Sequence, residues 1–229
     1  IWLHIVIRSS SISGESFLGF LSNRESTAMG LCFNLMGIPT YDSNPSLIKK
    51  AAESLGKLDM KSYIKKILKT VKGPVSLEVI GNTYEEMVKE GGSLYKKFNN
   101  VAKNVYIKVP VNPCMEEKCT TSADGIKAIK TLSKLHIPIN CTLVFTPEQA
   151  LLAAKAGAKF VSPFVGREDD YIRTINRIKF EKEDYFPEDG YKKGKKILED
   201  NGIVSGVDLI KECVEILKNY KVKVLAASI

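Results

Sequence analysis

From Gly73 onward the apolar residues arrive in short runs, separated by longer stretches in which they recur at helical spacing. Residues 74–80, 105–109, 137–144, 159–162 and 222–227 read as strands, rich in β-branched and aromatic side chains. Between them, residues 83–98, 122–135, 147–156 (closed by Gly157) and 207–220 read as helices. Upstream, the pattern predicts strands at 1–7 and 31–38, then a turn at Tyr41-Asp42-Ser43-Asn44-Pro45. Helices follow near 46–55 and 60–71, whereas 8–26, rich in Ser and Gly, carries no helical stripe. Residues 110–120 form a loop with Pro and Cys, and the lysine-rich stretch 168–198 breaks the alternation. That stretch is expected to be an inserted, extended loop with short helices. About seven apolar strands alternating with helices imply a parallel sheet buried on both faces, either doubly wound or a (β/α)8 barrel. No glycine-rich phosphate loop follows the first strand, which argues against a dinucleotide-binding fold. The last strand runs to the end of the sequence, so a barrel here is expected to lack its eighth strand and C-terminal helices.

Composition narrows the class. The 229 residues suit one domain, and 44% hydrophobic with 26% charged residues is ordinary for a globular protein. No apolar run approaches the ~20 residues that span a bilayer. Residues 1–7 are apolar but end at Arg8, without a basic leader or a cleavage site. No secretory leader and no membrane partner are expected, and the cytoplasm is the expected compartment. The net charge is +8, with lysines spread over Lys49, Lys65, Lys96 and the stretch 192–196. These are either solvated helix faces or a field for anionic substrates. Neither a zinc-finger nor an RNP-like pattern is present, and no basic stripe interleaves with aromatics. Phosphorylated small molecules fit better than nucleic acid. Five cysteines, Cys32, Cys114, Cys119, Cys141 and Cys213, are odd in number and irregular in spacing. Cys114 and Cys119 could be half a metal site, but no second pair follows. Structural thiols in a reducing compartment, and no metal, are the expectation.

The chemistry is read from polar residues inside strands. Lys108 interrupts Tyr-Ile-Lys-Val-Pro. Desolvation disfavours a charged amine, and a neutral one is what a Schiff-base nucleophile requires. The alternative is a lysine that snorkels to the strand end. Glu78 lies in Val-Ser-Leu-Glu-Val, either as a functional carboxylate or as half of a buried ion pair. Asn140 and Thr142 share one face of the 137–144 strand, Ser162 ends Phe-Val-Ser, and Ser228 follows Ala-Ala. In a parallel barrel all of these could point to the C-terminal mouth, where barrel active sites are built.

The run from Ile139 to Asp170, together with Ile107-Lys108-Val109-Pro110, Val75–Val79, Asn44–Ile48 and Ala-Ala-Ser-Ile at the end, resembles transaldolase. The resemblance covers about residues 44 to 229 and implies a (β/α)8 barrel. It also implies transfer of a dihydroxyacetone unit between sugar phosphates in the pentose phosphate pathway, with no metal or organic cofactor. Carried over residue by residue, it makes Lys108 the Schiff-base lysine. Glu78 becomes the carboxylate that shuttles protons through a water held by Thr142. Asn44 and Asn140 would bond the dihydroxyacetone unit, with Ser162 beside them. Arg167 and Ser228 would hold the phosphate, a role that suits a guanidinium fork; the alternative for Arg167 is a surface pair with Glu168 or Asp169. Small members of the family often form pentameric or decameric rings, so a homo-oligomer is expected. The sister activity, fructose-6-phosphate aldolase, typically carries Gln at the Glu78 position and Tyr at the Phe145 position. This chain has the transaldolase pair.

The resemblance weakens toward the start, where residues 1–43 are atypical. The family's first strand carries an acid/base aspartate where this chain has His4, and the usual Thr-Thr-Asn-Pro reads Asp42-Ser43-Asn44-Pro45. His4 or Asp42 could stand in for the lost carboxylate. Three readings follow: transaldolase, fructose-6-phosphate aldolase, and a catalytically weakened barrel that binds sugar phosphates.

Overall fold

The computed structural model describes residues 30–33, 39–43, 60–114, 119–181 and 184–228. The elements of residues 75–163 alternate as the sequence pattern predicts. Helix α1 (Met60–Thr70) leads to β3 (Val75–Glu78), α2 (Tyr84–Phe98), β4 (Val105–Pro110) and α3 (Asp124–Lys134). Then come β5 (Ile139–Val144), α4 (Pro147–Ala156), β6 (Phe160–Pro163) and α5 (Val165–Ile175). Strands β1 (Gly30–Phe33) and β2 (Pro39–Ser43) precede them, and α6 (Gly206–Leu217) and β9 (Lys223–Val224) close the described chain.

Local chemistry sets several of the boundaries. Thr83 caps α2 and Thr146 caps α4, each accepting from the backbone three residues on while Glu86 or Gln149 reaches back. Pro147 opens α4, and Gly157 ends it at φ 110°, a conformation that costs glycine little. Asn104 ties α1 to β4: its Nδ2 lies 3.0 to 3.2 Å from the carbonyls of Leu68, Val71 and Gly73, which share its two N–H donors. Those carbonyls would otherwise be orphaned at the helix end.

The sheet runs β1-β2-β3-β4-β5-β6-β9, with β1 antiparallel to β2 and every later pair parallel. Each parallel strand therefore lies beside the next one in the sheet's chain order, with no reversal. A doubly wound sheet reverses its order at a switch point, so the arrangement is that of a barrel wall. The helices pack on one side: Leu68, Met87, Ile129, Ala153 and Leu209 form one core with Leu77, Ile107, Ile139, Cys141 and Val161. Successive strand residues face opposite ways, so Ser76, Glu78, Tyr106, Lys108, Asn140, Thr142, Phe160 and Ser162 turn to the other side. One irregularity bends this rule. Leu143 sits at φ 55° where the β5–β6 register shifts. The extra residue lets Val144 join the helix-side core although Thr142, two positions earlier, faces away from it.

The structure departs from the sequence reading in three places. Of the strand expected at 31–38, the described residues 31–33 belong to β1, and Tyr41–Ser43, expected to be a turn, belong to a further strand, β2, that begins at Pro39. Proline is tolerated there because it opens the strand. The insertion expected at 168–198 begins later, because residues up to Ile175 complete α5 and keep the βα rhythm. Two of the three buried residues of α5 are Glu168 and Arg173, so its inner face does not read as apolar in the sequence. The excursion that follows carries a hairpin, β7 (Lys192–Lys193) and β8 (Lys196–Ile197), and a small core of Ile172, Phe186 and Leu198. Third, Cys114 and Cys119 are joined in a disulfide with Cα atoms 6.4 Å apart, not held as free thiols. That separation is within bridging range. Cys141 and Cys213 are free and buried, and burial pushes the Cys213 thiol up to about 12. The expected elements at 1–7 and 46–55 lie outside the described residues, as do His4 and Asn44.

Candidate active site

The polar face of β3–β6 is where the buried chemistry collects. Lys108 is 2% exposed, Asn140 1%, and Thr142 and Ser162 are fully buried. Uncompensated, such groups cost stability, so a cluster of them on one face calls for a reason beyond packing. The register supplies the juxtaposition: Glu78 lies opposite Lys108, and Lys108 opposite Asn140. Lys108 Nζ stands 3.6 Å from Glu78 Oε2. Thr142, opposite Pro110, is one inward position further along β5 than Asn140. Its Oγ1 has no hydrogen-bond partner among the described residues.

Asn140 is held at both ends. Its Nδ2 donates to Ser76 Oγ at 3.1 Å, and its Oδ1 accepts from Ser162 Oγ at 2.8 Å. Ser76 was not singled out by the sequence reading. The available signal was its position two residues before Glu78, on the same strand face. Below this layer the rings of Tyr106 and Phe160 lie tilted with centroids 5.0 Å apart, and burial raises the Tyr106 phenol.

At the mouth, Arg167 and Ser228 come together through the backbone. Val165 N donates to Ala227 O at 2.9 Å, and Gly166 N to Ser228 O at 2.7 Å. Gly166 has no room for a side chain, since an added Cβ would meet Ser228 O at 2.5 Å. Arg167 is exposed, with its guanidinium 5.6 Å from the centroid of Phe164. It makes no ion pair among the described residues. The partners considered for it are otherwise engaged: Glu168 is buried, and Asp169 accepts from Gly206 N at 2.6 Å. Phe164 packs in turn on Phe145, centroids 5.7 Å apart. Lys108, Glu78, Asn140, Thr142 and Ser162 thus share one face, with Arg167 and Ser228 beyond the end of β6. Asp42 falls within β2, paired with Ser76 of β3, but only its backbone is described.

The chain matches the family described as Transaldolase/Fructose-6-phosphate aldolase over residues 33–229. It is 49% identical over 128 residues to a probable transaldolase of Thermoplasma acidophilum, covering 56% of this chain and 50% of that protein. With a probable transaldolase of Petrotoga mobilis it shares 43% over 171 residues, 74% of this chain and 67% of the relative. For a probable transaldolase of Nitrosopumilus maritimus the figures are 38% over 201 residues, 86% and 68%. The alignments therefore span between half and about two thirds of these relatives' lengths. The chain belongs to the transaldolase/fructose-6-phosphate aldolase family, an enzyme family acting on sugar phosphates, and its strands follow that family's (β/α)8 barrel.

Among the described residues no cluster of His, Cys, Asp or Glu could hold a metal ion, and no helix is long and apolar enough to cross a membrane.

Proposed function

We propose that this chain is a transaldolase that transfers a dihydroxyacetone unit between sugar phosphates through a Schiff base on Lys108. The observation that carries the reading is the buried Lys108 amine 3.6 Å from the Glu78 carboxylate, on a face shared with Asn140, Thr142 and Ser162. Lys108 passes a proton to Glu78, 3.6 Å away, and its freed amine adds to the C2 carbonyl of a ketose phosphate such as fructose 6-phosphate. Glu78, through a water on Thr142, moves the protons that turn the carbinolamine into an iminium and release water. The iminium draws the electron pair of the C3–C4 bond, the C4 hydroxyl gives its proton to a base, a place that His4 or Asp42 takes in this reading, and an aldose phosphate leaves. The remaining enamine attacks the carbonyl of an acceptor aldehyde, and hydrolysis frees Lys108. Asn140, Ser162 and Asn44 hold the three-carbon unit, while Arg167 and Ser228 hold the phosphate.

Transfer is favoured over simple cleavage by Phe145. Its ring lies against Phe164 and carries no hydroxyl that could protonate the enamine. The reading extends to a homo-oligomer working in the cytoplasmic pentose phosphate pathway.

The test is borohydride reduction in the presence of fructose 6-phosphate, followed by peptide mass spectrometry. A stoichiometric adduct on Lys108, and turnover with erythrose 4-phosphate as acceptor, are expected. Cleavage without acceptor would indicate the aldolase, and ketose phosphate binding without an adduct would indicate a weakened barrel.

A further inference from the structure

We propose that Ser76 is a positioning residue: with Ser162 it clamps the Asn140 amide in one plane, and so fits the site to donors that carry a C1 hydroxyl beside the reactive C2 carbonyl. The inference rests on the Schiff-base reading for its catalytic consequence and on the hydrogen bonds alone for the clamp.

The bond from Asn140 Nδ2 to Ser76 Oγ joins residues 64 apart in sequence. It spans from β5 to β3, over β4, the strand that bears Lys108. All three members of the chain Ser76–Asn140–Ser162 are at most 4% exposed. A primary amide offers two N–H donors and a carbonyl with two lone pairs. One donor is spent on Ser76 and one lone pair accepts from Ser162. What remains is one N–H and one lone pair, in a plane fixed at both ends. With Ser162 alone, the amide can turn about its side-chain axis and the free pair loses its aim. A hydroxyl on the three-carbon unit, next to the carbon bound to Lys108, is the group such a pair can hold. Prepaid alignment of this kind appears in turnover rather than in stability.

The experiment uses the full chain with Ser76→Ala, which removes one oxygen and little volume. For fructose 6-phosphate, kcat/KM falls about ten-fold, the scale of one lost neutral hydrogen bond. For its 1-deoxy analogue, which lacks the C1 hydroxyl and keeps the one on C3, kcat/KM changes less than about two-fold. Equal losses on both donors, or no loss on either, would overturn the proposal. A second readout needs no turnover. The Asn140 side-chain amide, assigned by its disappearance in Asn140→Asp, exchanges its hydrogens about ten-fold faster in Ser76→Ala. Unchanged exchange overturns the clamp whatever the kinetics. If the wild-type chain gives no Lys108 adduct, the Schiff-base reading falls, and the exchange measurement still decides the clamp.

Discussion

A Cβ placed on Gly125 would stand 2.0 Å from the carbonyl oxygen of Pro110, so the first turn of α3 is pressed against the end of the strand that carries Lys108. Backbone sits on both sides of this contact, and neither side can give way as a flexible side chain would.

Gly125→Ala is therefore expected to displace Pro110, two residues beyond Lys108. The overpacking costs about 2 kcal/mol or more. Thermal unfolding reads the loss of stability, and borohydride trapping reads the shift of the amine. Gly92, whose added Cβ meets nothing within 4 Å, is the control. Gly92→Ala on α2 should be neutral or slightly stabilising.

Glu168 gives the fold a pH dependence. Its carboxyl is pushed up to about 7, first by burial and then by the charges of Asp200 and Asp169. The folded protein thus holds a proton that the unfolded chain, titrating near 4.5, has already lost. The stability Glu168 contributes is full below 4.5 and is lost as pH rises through about 7. The loss is on the order of 2 kcal/mol. Urea unfolding at pH 5 and pH 8 measures it, and Glu168→Gln should flatten the difference. An unchanged pH slope in that variant would show that Glu168 titrates alike in the folded and unfolded states.

Arg173 holds the excursion after α5. Its Nη1 reaches Asp170 at 3.2 Å and its Nη2 donates to Asp184 O at 2.7 Å. Its guanidinium lies 4.7 Å from the Phe180 centroid and 5.0 Å from that of Phe186. A lysine cannot reproduce a planar group that bonds two oxygens and stacks on rings. Arg173→Lys should lose on the order of 2 kcal/mol. Limited proteolysis should then cut within residues 176–205 while the βα wall stays intact.

The sequence announced most of the wall, because β3 to β6 alternate apolar and polar residues while α2 and α4 open on capping threonines. Lys108, Glu78, Asn140 and Thr142 stood out as polar side chains inside apolar runs, and that contrast is local. What stayed hidden depends on distance. Ser76 is an ordinary serine until the fold brings Asn140 to it from 64 positions away. The inner face of α5 is charged, so no periodic stripe marks it, and its partners Phe186 and Leu198 come from the excursion. The left-handed Leu143 gives no signal either, since leucine is not a residue that marks a bulge.

The two-sided strands make this protein separable for redesign. Ile107, Ile139 and Val161 hold the helices, whereas Tyr106 and Phe160, two positions before Lys108 and Ser162 on the other face, pack on each other and lie outside that core. A combinatorial library confined to those two aromatic positions would reshape the polar face of the strands without changing any residue of the helix-side core. New donor preferences could then be selected against an almost constant background of stability.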